Sequence, residues 1–450
     1  MDDKTLAYNT LSRKVDTYST LFKYADGEQP LVYSASRLKE AFNRLDARFC
    51  QNWMAVVIDT ALDRLSFSGW STKSAAENDR LADLFAMHKL QLESYDVHRA
   101  ALITHEAYVI AWKDETGQIE VYYNDPRLVH VFYDPESPKK KTFAAKWYQG
   151  QDGRYYLTLY YPDRLEYFVT RQAIKSGIPS SAGAFIPADI PIAPNPYGII
   201  PVFHFQISRR ANGGELFSII TLQDAVNKLF ADMMVAAEFG AFKQRWIITS
   251  ADTSTLKNAP NEIWAIPPGE GSQTQVGEFA ETNLDIFLSA IDKLANSIAI
   301  ISRTPKHYFM QTGSNISGEA LLAMESPLVA KVERFQRSLA ITWEELGIFI
   351  YMLETGITLS PKEIDVIWQP AQAVQPKTEA ETIKTNVEAG LPLKSALRWA
   401  GKTEEEIKQI EQEKAEEEES KATMGQLLLE QVKRETEQSN EQPDGTIPEE

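Results

Sequence analysis

Two amphipathic stretches of helical period, separated by a short β-rich insert, constrain the fold of this chain more than any other feature. After "NGGEL" (212–216) a helix is expected to about residue 245, with Ile219, Leu222, Val226, Leu229, Phe230, Met233 and Met234 at helical spacing. A second follows over 282–302, with Leu284, Phe287, Leu288, Ile291, Leu294, Ala295 and Ile298 on one stripe. Between them "RWIITS", "EIWAIPPGEG" and "QTQVGEFA" read as short strands and turns. Helices of roughly 20–30 residues, rising about 1.5 Å per residue, thus carry a small module at their tips. Most side chains of such stripes are core.

Upstream, residues 5–23 are helix-forming and end at "YADGEQPL" (24–31), where Asp26-Gly27 and Pro30 stop a helix. An amphipathic pattern runs over 35–64 (Leu38, Phe42, Leu45, Phe49, Trp53, Val57, Leu62), and another helix is expected over 75–100. The texture then changes. Residues 107–134 and 141–169 hold β-rich runs broken by turns at Asp114–Gly117, Asp125-Pro126 and Asp152-Gly153. They predict an antiparallel sheet in a mixed α+β unit. Residues 172–200, rich in Pro, Gly, Ser and Ala, read as a long connection.

Downstream, "RTPKHYFMQTGSNISG" (303–318) is a polar loop. A helical pattern then runs from Glu319 to about Glu354, and Pro327 inside it predicts a kink, because proline removes a backbone bond and crowds the preceding turn. Beyond Pro361, a β-like "IDVIWQP" is followed by two or three short helices and the acidic run Glu416–Glu419. The end, "SNEQPDGTIPEE", has the composition of a disordered tail.

Charge and composition exclude several classes. The net charge is −17, and residues 401–450 hold 16 acidic against 6 basic residues. The body is therefore only mildly acidic, and tight nucleic-acid binding through bulk charge is excluded. The single cysteine, Cys50, forbids an intrachain disulfide. A polar start without a signal peptide, and no apolar run of membrane-spanning length, predict a chain made and used in the cytoplasm without a membrane partner. His88, His98, His105, His130, His204 and His307 lie far apart, with no metal-binding His pair, no C-x-x-C and no G-x-S-x-G. No catalytic site, metal or cofactor is expected.

One stretch imitates a phosphate-binding loop. "TGSNISGEAL" (312–321) reads G-x-x-x-x-G into a helix, but the Lys and Ser/Thr that such a loop needs are Glu319 and Ala320. A carboxylate repels a triphosphate and a methyl group cannot hold Mg²⁺. The plainer account is a loop-to-helix junction. Gly313 lies in the turn, Ser314 or Ser317 caps the helix, Gly318 admits the chain, and Glu319 complements the helix dipole.

The order of these features resembles the portal proteins of tailed bacteriophages, of the siphophage type, over nearly the whole chain. The residues that carry the resemblance are "YADGEQPL", "FCQNWMAVVIDTALDRLSFSGW" (49–70), "AYVIAWKDETG" (107–117), "NPYGIIPVFHF" (195–205) with "GGEL" after it, and "GSNISGEALLAMESPL" (313–328). His105-Glu106 departs from the pattern, which often has Gly before the hairpin strand. The resemblance implies an α+β portal-like subunit of a ring of about twelve copies at one vertex of a virion, assembled in the host cytoplasm. It implies a wing (1–215, rejoined by the long kinked helix 318–360), stem helices (216–245 and 282–302), a clip (246–281), a tunnel loop (303–317), a helical crown (361–420) and an acidic tail (421–450). It further implies partners: double-stranded DNA passing weakly and without specificity, the terminase large subunit, a head-completion adaptor, and major capsid or scaffolding protein. Lys306 then becomes the candidate for transient phosphate contact, Gln311 and Asn315 for neutral hydrogen bonds, and His307 and Tyr308 for lining or buttressing the loop. The rival readings are another structural head–tail component, or a phosphate-binding enzyme using 312–321.

Overall fold

The computed structural model describes residues 2–29, 50–208, 214–241, 245–248, 275–278, 283–310, 318–372, 376–400, 402 and 406–415. The first helix, α1 (Asp3–Ala25), turns Ala7, Leu11, Lys14, Tyr18, Leu21 and Tyr24 inward at intervals of three or four. The pattern expected as one helix over 35–64 is not continuous. Its part before Cys50 lies outside the described residues, and α2 (Trp53–Leu62) starts afresh where the Asn52 side chain accepts from the Ala55 amide at 3.2 Å. The helix expected over 75–100 is likewise two. After strand β1 (Phe67–Thr72), α3 (Ala75–Met87) and α4 (Leu90–Thr104) are separated by Lys89, whose φ of 50° no helix tolerates.

Two antiparallel sheets follow. Strands β2 (Glu106–Lys113), β3 (Ile119–Asn124) and β9 (Val202–Gln206) form one, in the order β3-β2-β9. The other is a meander of β4 (Val129–Tyr133), β5 (Lys141–Gln149), β6 (Tyr155–Tyr160), β7 (Arg164–Thr170) and β8 (Phe185–Pro194). Strand β8 corrects the reading of 172–200 as connection only. Pro187, Pro191 and Pro194 hide it in the sequence, and they are tolerated because β8 is an edge strand that pairs on one side with β7.

The remaining elements are helix α5 (Ile220–Ala241), the ribbon β10 (Arg245–Ile248) with β11 (Gln275–Glu278), helix α6 (Asp285–Ser302), and the long helix α7 (Gly318–Thr355). Strand β12 (Ile364–Trp368) returns to pair with β1, and α8 (Pro376–Glu388) and α9 (Leu393–Trp399) follow. The helix of residues 318–355 thus runs unbroken through Pro327, which lies on its exposed side. An α+β fold results. The acidic run 416–419 and the tail lie outside the described residues.

Strand β2 shows how alternation divides the molecule. Ala107, Val109 and Ala111 point into the helical core with Phe203 and Phe205 of β9. Tyr108 and Ile110 point the other way, to Val129, Val131, Ala144 and Val202 between the two sheets. Its first residue, Glu106, is buried and is the hub of an ionic cluster. The carboxylate pairs with Lys14 of α1, accepts from the hydroxyls of Tyr18 (2.6 Å) and Tyr108 (3.0 Å), and lies 3.1 Å from His204 Nε2. Burial alone pushes this carboxyl up, but Lys14 and His204 hold it well below the usual range. The Lys14 ammonium is 2.6 Å from His130 Nδ1 on β4, so one cluster ties α1 to both sheets. His105, just before it, has φ of 73°, the left-handed backbone that glycine favours. The departure of His105-Glu106 from the expected glycine therefore keeps the glycine-like turn.

Helix α7 carries the main core on one stripe: Leu328, Val332, Phe335, Leu339, Trp343, Leu346, Ile350 and Leu353. Trp343 stacks on Phe67 with centroids 4.3 Å apart, takes the Trp70 indole N–H on its carbonyl at 2.9 Å, and donates its own to His98 Nε2 at 3.0 Å. His98 Nδ1–H donates to the Leu65 carbonyl at 2.9 Å. The ring is thus fixed neutral, and burial pushes its pKa down to about 3. Because the folded value lies below the unfolded one, this stability is complete above about pH 6.5 and is lost as the pH falls toward 3. His98→Gln can keep both hydrogen bonds but cannot titrate. It should cost about 1–2 kcal/mol at pH 7. It should also flatten the acid loss of stability by about 1.4 kcal/mol per pH unit between pH 6 and 4. Urea melts at both pH values check this, and an unchanged slope contradicts it.

Candidate functional site

The junction between α6 and α7 holds Lys306, His307 and Tyr308, three of the residues singled out in the sequence. Helix α6 stops because Arg303 turns left-handed (φ 55°) and its amide and that of Thr304 fold back onto carbonyls of the last turn. Pro305 then opens a short 3₁₀ turn over Lys306–Tyr308, closed by the Tyr308 amide on the Pro305 carbonyl at 3.2 Å.

Each side chain of this turn has a partner. Lys306 Nζ lies 2.9 Å from Asp292 Oδ1 on α6, and both side chains are half-exposed. His307 Nε2 lies 2.9 Å from Glu325 Oε1 on α7, while Glu325 Oε2 receives Arg64 at 3.0 Å. Arg64, just past α2, also donates to the Tyr308 hydroxyl and to the Thr60 carbonyl, both at 2.8 Å. Burial raises the Tyr308 pKa, so the hydroxyl stays neutral in this network. Phe309 sets its ring at 68° to Trp53, with centroids 5.8 Å apart. His307 and Tyr308 therefore attach the turn to α2 and α7. Gln311, Gly313, Asn315 and Ser317 lie outside the described residues, and Gly318 and Glu319 begin α7.

Below the turn is a clamp that sequence spacing did not reveal. Lys331 is buried, and its ammonium donates to the Ser302 carbonyl at 2.7 Å and to Glu215 Oε2 at 3.0 Å. A cation thus meets the partly negative C-terminal end of α6. Burial pushes the Lys331 pKa down and Glu215 opposes that shift. Glu215 is placed by its amide bond to the Leu102 carbonyl at 2.9 Å. At Gly214 a Cβ would lie 2.2 Å from that same carbonyl oxygen, which explains the glycine of "GGEL". One lysine therefore holds together the entry to α5, the exit of α6 and the body of α7.

Arg64, Glu215, Glu325 and Lys331 are the neighbours of the candidate site that sequence reasoning missed. The partners Arg64 and Glu325 lie 261 positions apart, and no local motif joins them. No group of three or more His, Cys, Asp or Glu among the described residues can hold a metal, and no helix among them is long and apolar enough to cross a membrane. Lys331→Met should destabilise the protein by about 3 kcal/mol, because Glu215 and the Ser302 carbonyl lose their partner. Adding Glu215→Leu should recover part of that loss. Thermal melts of both variants check this, and an unaffected single variant contradicts it.

Comparison with known proteins gives the family. The family model described as phage portal protein, SPP1 Gp6-like, matches residues 7–420. The portal protein of Mycobacterium phage L5 is 24% identical over 249 residues, 49% of this chain and 50% of that protein. The portal protein of Mycobacterium phage D29 is 26% identical over 159 residues, 33% of each. The matched part thus spans half or less of the length of these relatives. With the family model covering almost all of it, the chain belongs to the phage portal protein family of the SPP1 Gp6-like type.

Proposed function

We propose that this chain is one subunit of a portal ring of about twelve copies that closes one vertex of a phage head and passes double-stranded DNA during packaging and ejection. Residues 1–215 and 318–360 form the wing, α5 and α6 the stem, 246–281 the clip, and 303–317 the tunnel loop. Residues 361–420 form the crown, with β12 anchoring its start to the wing, and 421–450 are an acidic tail. The clip docks the terminase motor and later the head-completion adaptor, and the wing meets capsid or scaffolding protein. ATP is consumed by the motor and not by this chain.

The observation that supports the reading most is the surface left on the stem. Met234, Ile286, Leu288, Ile300 and Ile301 are exposed on α5 and α6, and Leu321 and Leu322 on the first turns of α7. A lone subunit has no use for so much apolar surface, whereas a closed ring covers it with the neighbour. The Lys306–Asp292 pair fits the same reading. A wall along which DNA slides must not hold it, because each phosphate neutralised adds affinity. An ammonium already matched by a carboxylate touches phosphates only in passing.

The test is complementation of a phage whose own portal gene is interrupted, scored by the DNA content of its heads. The chain should restore filled heads, and Lys306→Ala should lower packaged or retained DNA several-fold while the heads still carry the protein. Heads that lack the variant protein identify the turn as an assembly element and contradict its placement in the channel. Normal filling by a stem variant that cannot form rings contradicts the function itself.

A further inference from the structure

Between the open ends of the two sheets, away from the junction and from the stem, lies a cavity of about 220 Å³. Its walls include Trp112 from β2, Tyr122 from β3, Tyr160 from β6 and Tyr167 from β7, and Asp114 and Glu120 also line it. The pleat explains the convergence. Trp112 pairs with Glu120 and Ile110 with Tyr122, so these side chains share the face that looks at the five-stranded sheet. There, Thr158 pairs with Tyr167, and Tyr160 stands two residues along on the same face.

We propose that this cavity receives the cationic side chain of a second polypeptide, an arginine or lysine. Aromatic faces are electron-rich and attract a desolvated cation. A carboxylate in the lining adds charge pairing and favours a guanidinium, which can stack and pair at once. Among the described residues, Asp114 and Glu120 are the charged ones that line the cavity and Lys146 reaches its Tyr122 ring, so the balance of these three is one negative charge.

Lys146 shows that these walls accept an ammonium. Its Nζ lies 5.0 Å from the Tyr122 ring centroid, and among the described residues it has no carboxylate partner. Burial lowers its pKa. The cage is also pre-formed. Trp112 meets Tyr197 edge-on at 5.1 Å, and the Tyr197 hydroxyl accepts from the Lys113 amide at 3.0 Å. Beyond the cavity the same face continues as the stacked pair Tyr148 and Tyr156, centroids 5.3 Å apart, which gives the residues flanking the cation a surface to lie on. The Asp114 carboxylate is oriented by the amides of Thr116 and Gln118, each at 2.8 Å.

The proposal depends on the sheets alone and stands apart from the ring assignment. Saturation-transfer NMR on the full chain tests it with three probes: N-acetyl-arginine methylamide, N-acetyl-lysine methylamide and the uncharged N-acetyl-norleucine methylamide. The two cations should receive saturation at their side-chain methylenes, more weakly at high salt, and the norleucine probe should not. Glu120→Gln, an exposed and shape-conserving change, should weaken the arginine probe about fivefold, as expected for the loss of roughly 1 kcal/mol. Trp112→Leu should abolish its binding with the far-UV circular dichroism unchanged. Equal saturation of the norleucine probe, or arginine binding indifferent to Glu120→Gln, overturns the proposal.

Discussion

The buried stripe of the long helix, from Leu328 to Leu353, is the constraint on which the rest of the molecule depends. Strand β9, the β1–β12 pair and helix α4 all reach it: Phe205, Phe67 and His98 meet on the indole of Trp343. Truncating a buried Phe or Trp of this kind to Ala costs about 3–5 kcal/mol, so the stripe fixes the relative placement of elements hundreds of residues apart. The same helix supplies Glu325 and Lys331, which fasten the turn after α6, the entry to α5 and the exit of α6. Core packing and the candidate site are therefore two faces of one rod.

This coupling gives the proposed channel a physical basis. A loop that faces moving DNA must keep its position without gripping the polymer. Here the base of the loop is gripped by the protein instead. His307 Nε2 meets Glu325 and the Tyr308 hydroxyl accepts from Arg64, Phe309 packs on Trp53, and Lys306 is matched by Asp292. Buried and half-buried pairs cost more to break than exposed ones, so the junction resists sideways load better than a loop held by backbone alone.

Much of this was legible in the sequence, and the failures have physical causes. The stripes of α5 and α6 could be read because helical burial repeats every three or four residues, and Val226, Ile291, Ala295 and Ile298 are indeed core. Leu288 on the same stripe is half exposed, because periodicity finds an apolar face but not what covers it. The break before α2 was hidden because Phe49 and Trp53 keep helical spacing across the Asn52 cap. The break at Lys89 was hidden because a left-handed lysine has no compositional signature. Prolines masked β8, since edge strands escape the rule that excludes them from sheets. The pairs Arg64 with Glu325 and Lys331 with Glu215 are tertiary, and one sequence does not announce them.

Electron microscopy of the purified protein, with end-on and side-view averages carried to a resolution that traces helices, tests the central claim most directly. The account predicts cone-shaped rings of about twelve subunits with a central hole lined by α5 and α6, and with the 303–310 turn at its narrowest part. A closed assembly without an axial opening, or a ring whose hole is lined by the two sheets, contradicts it.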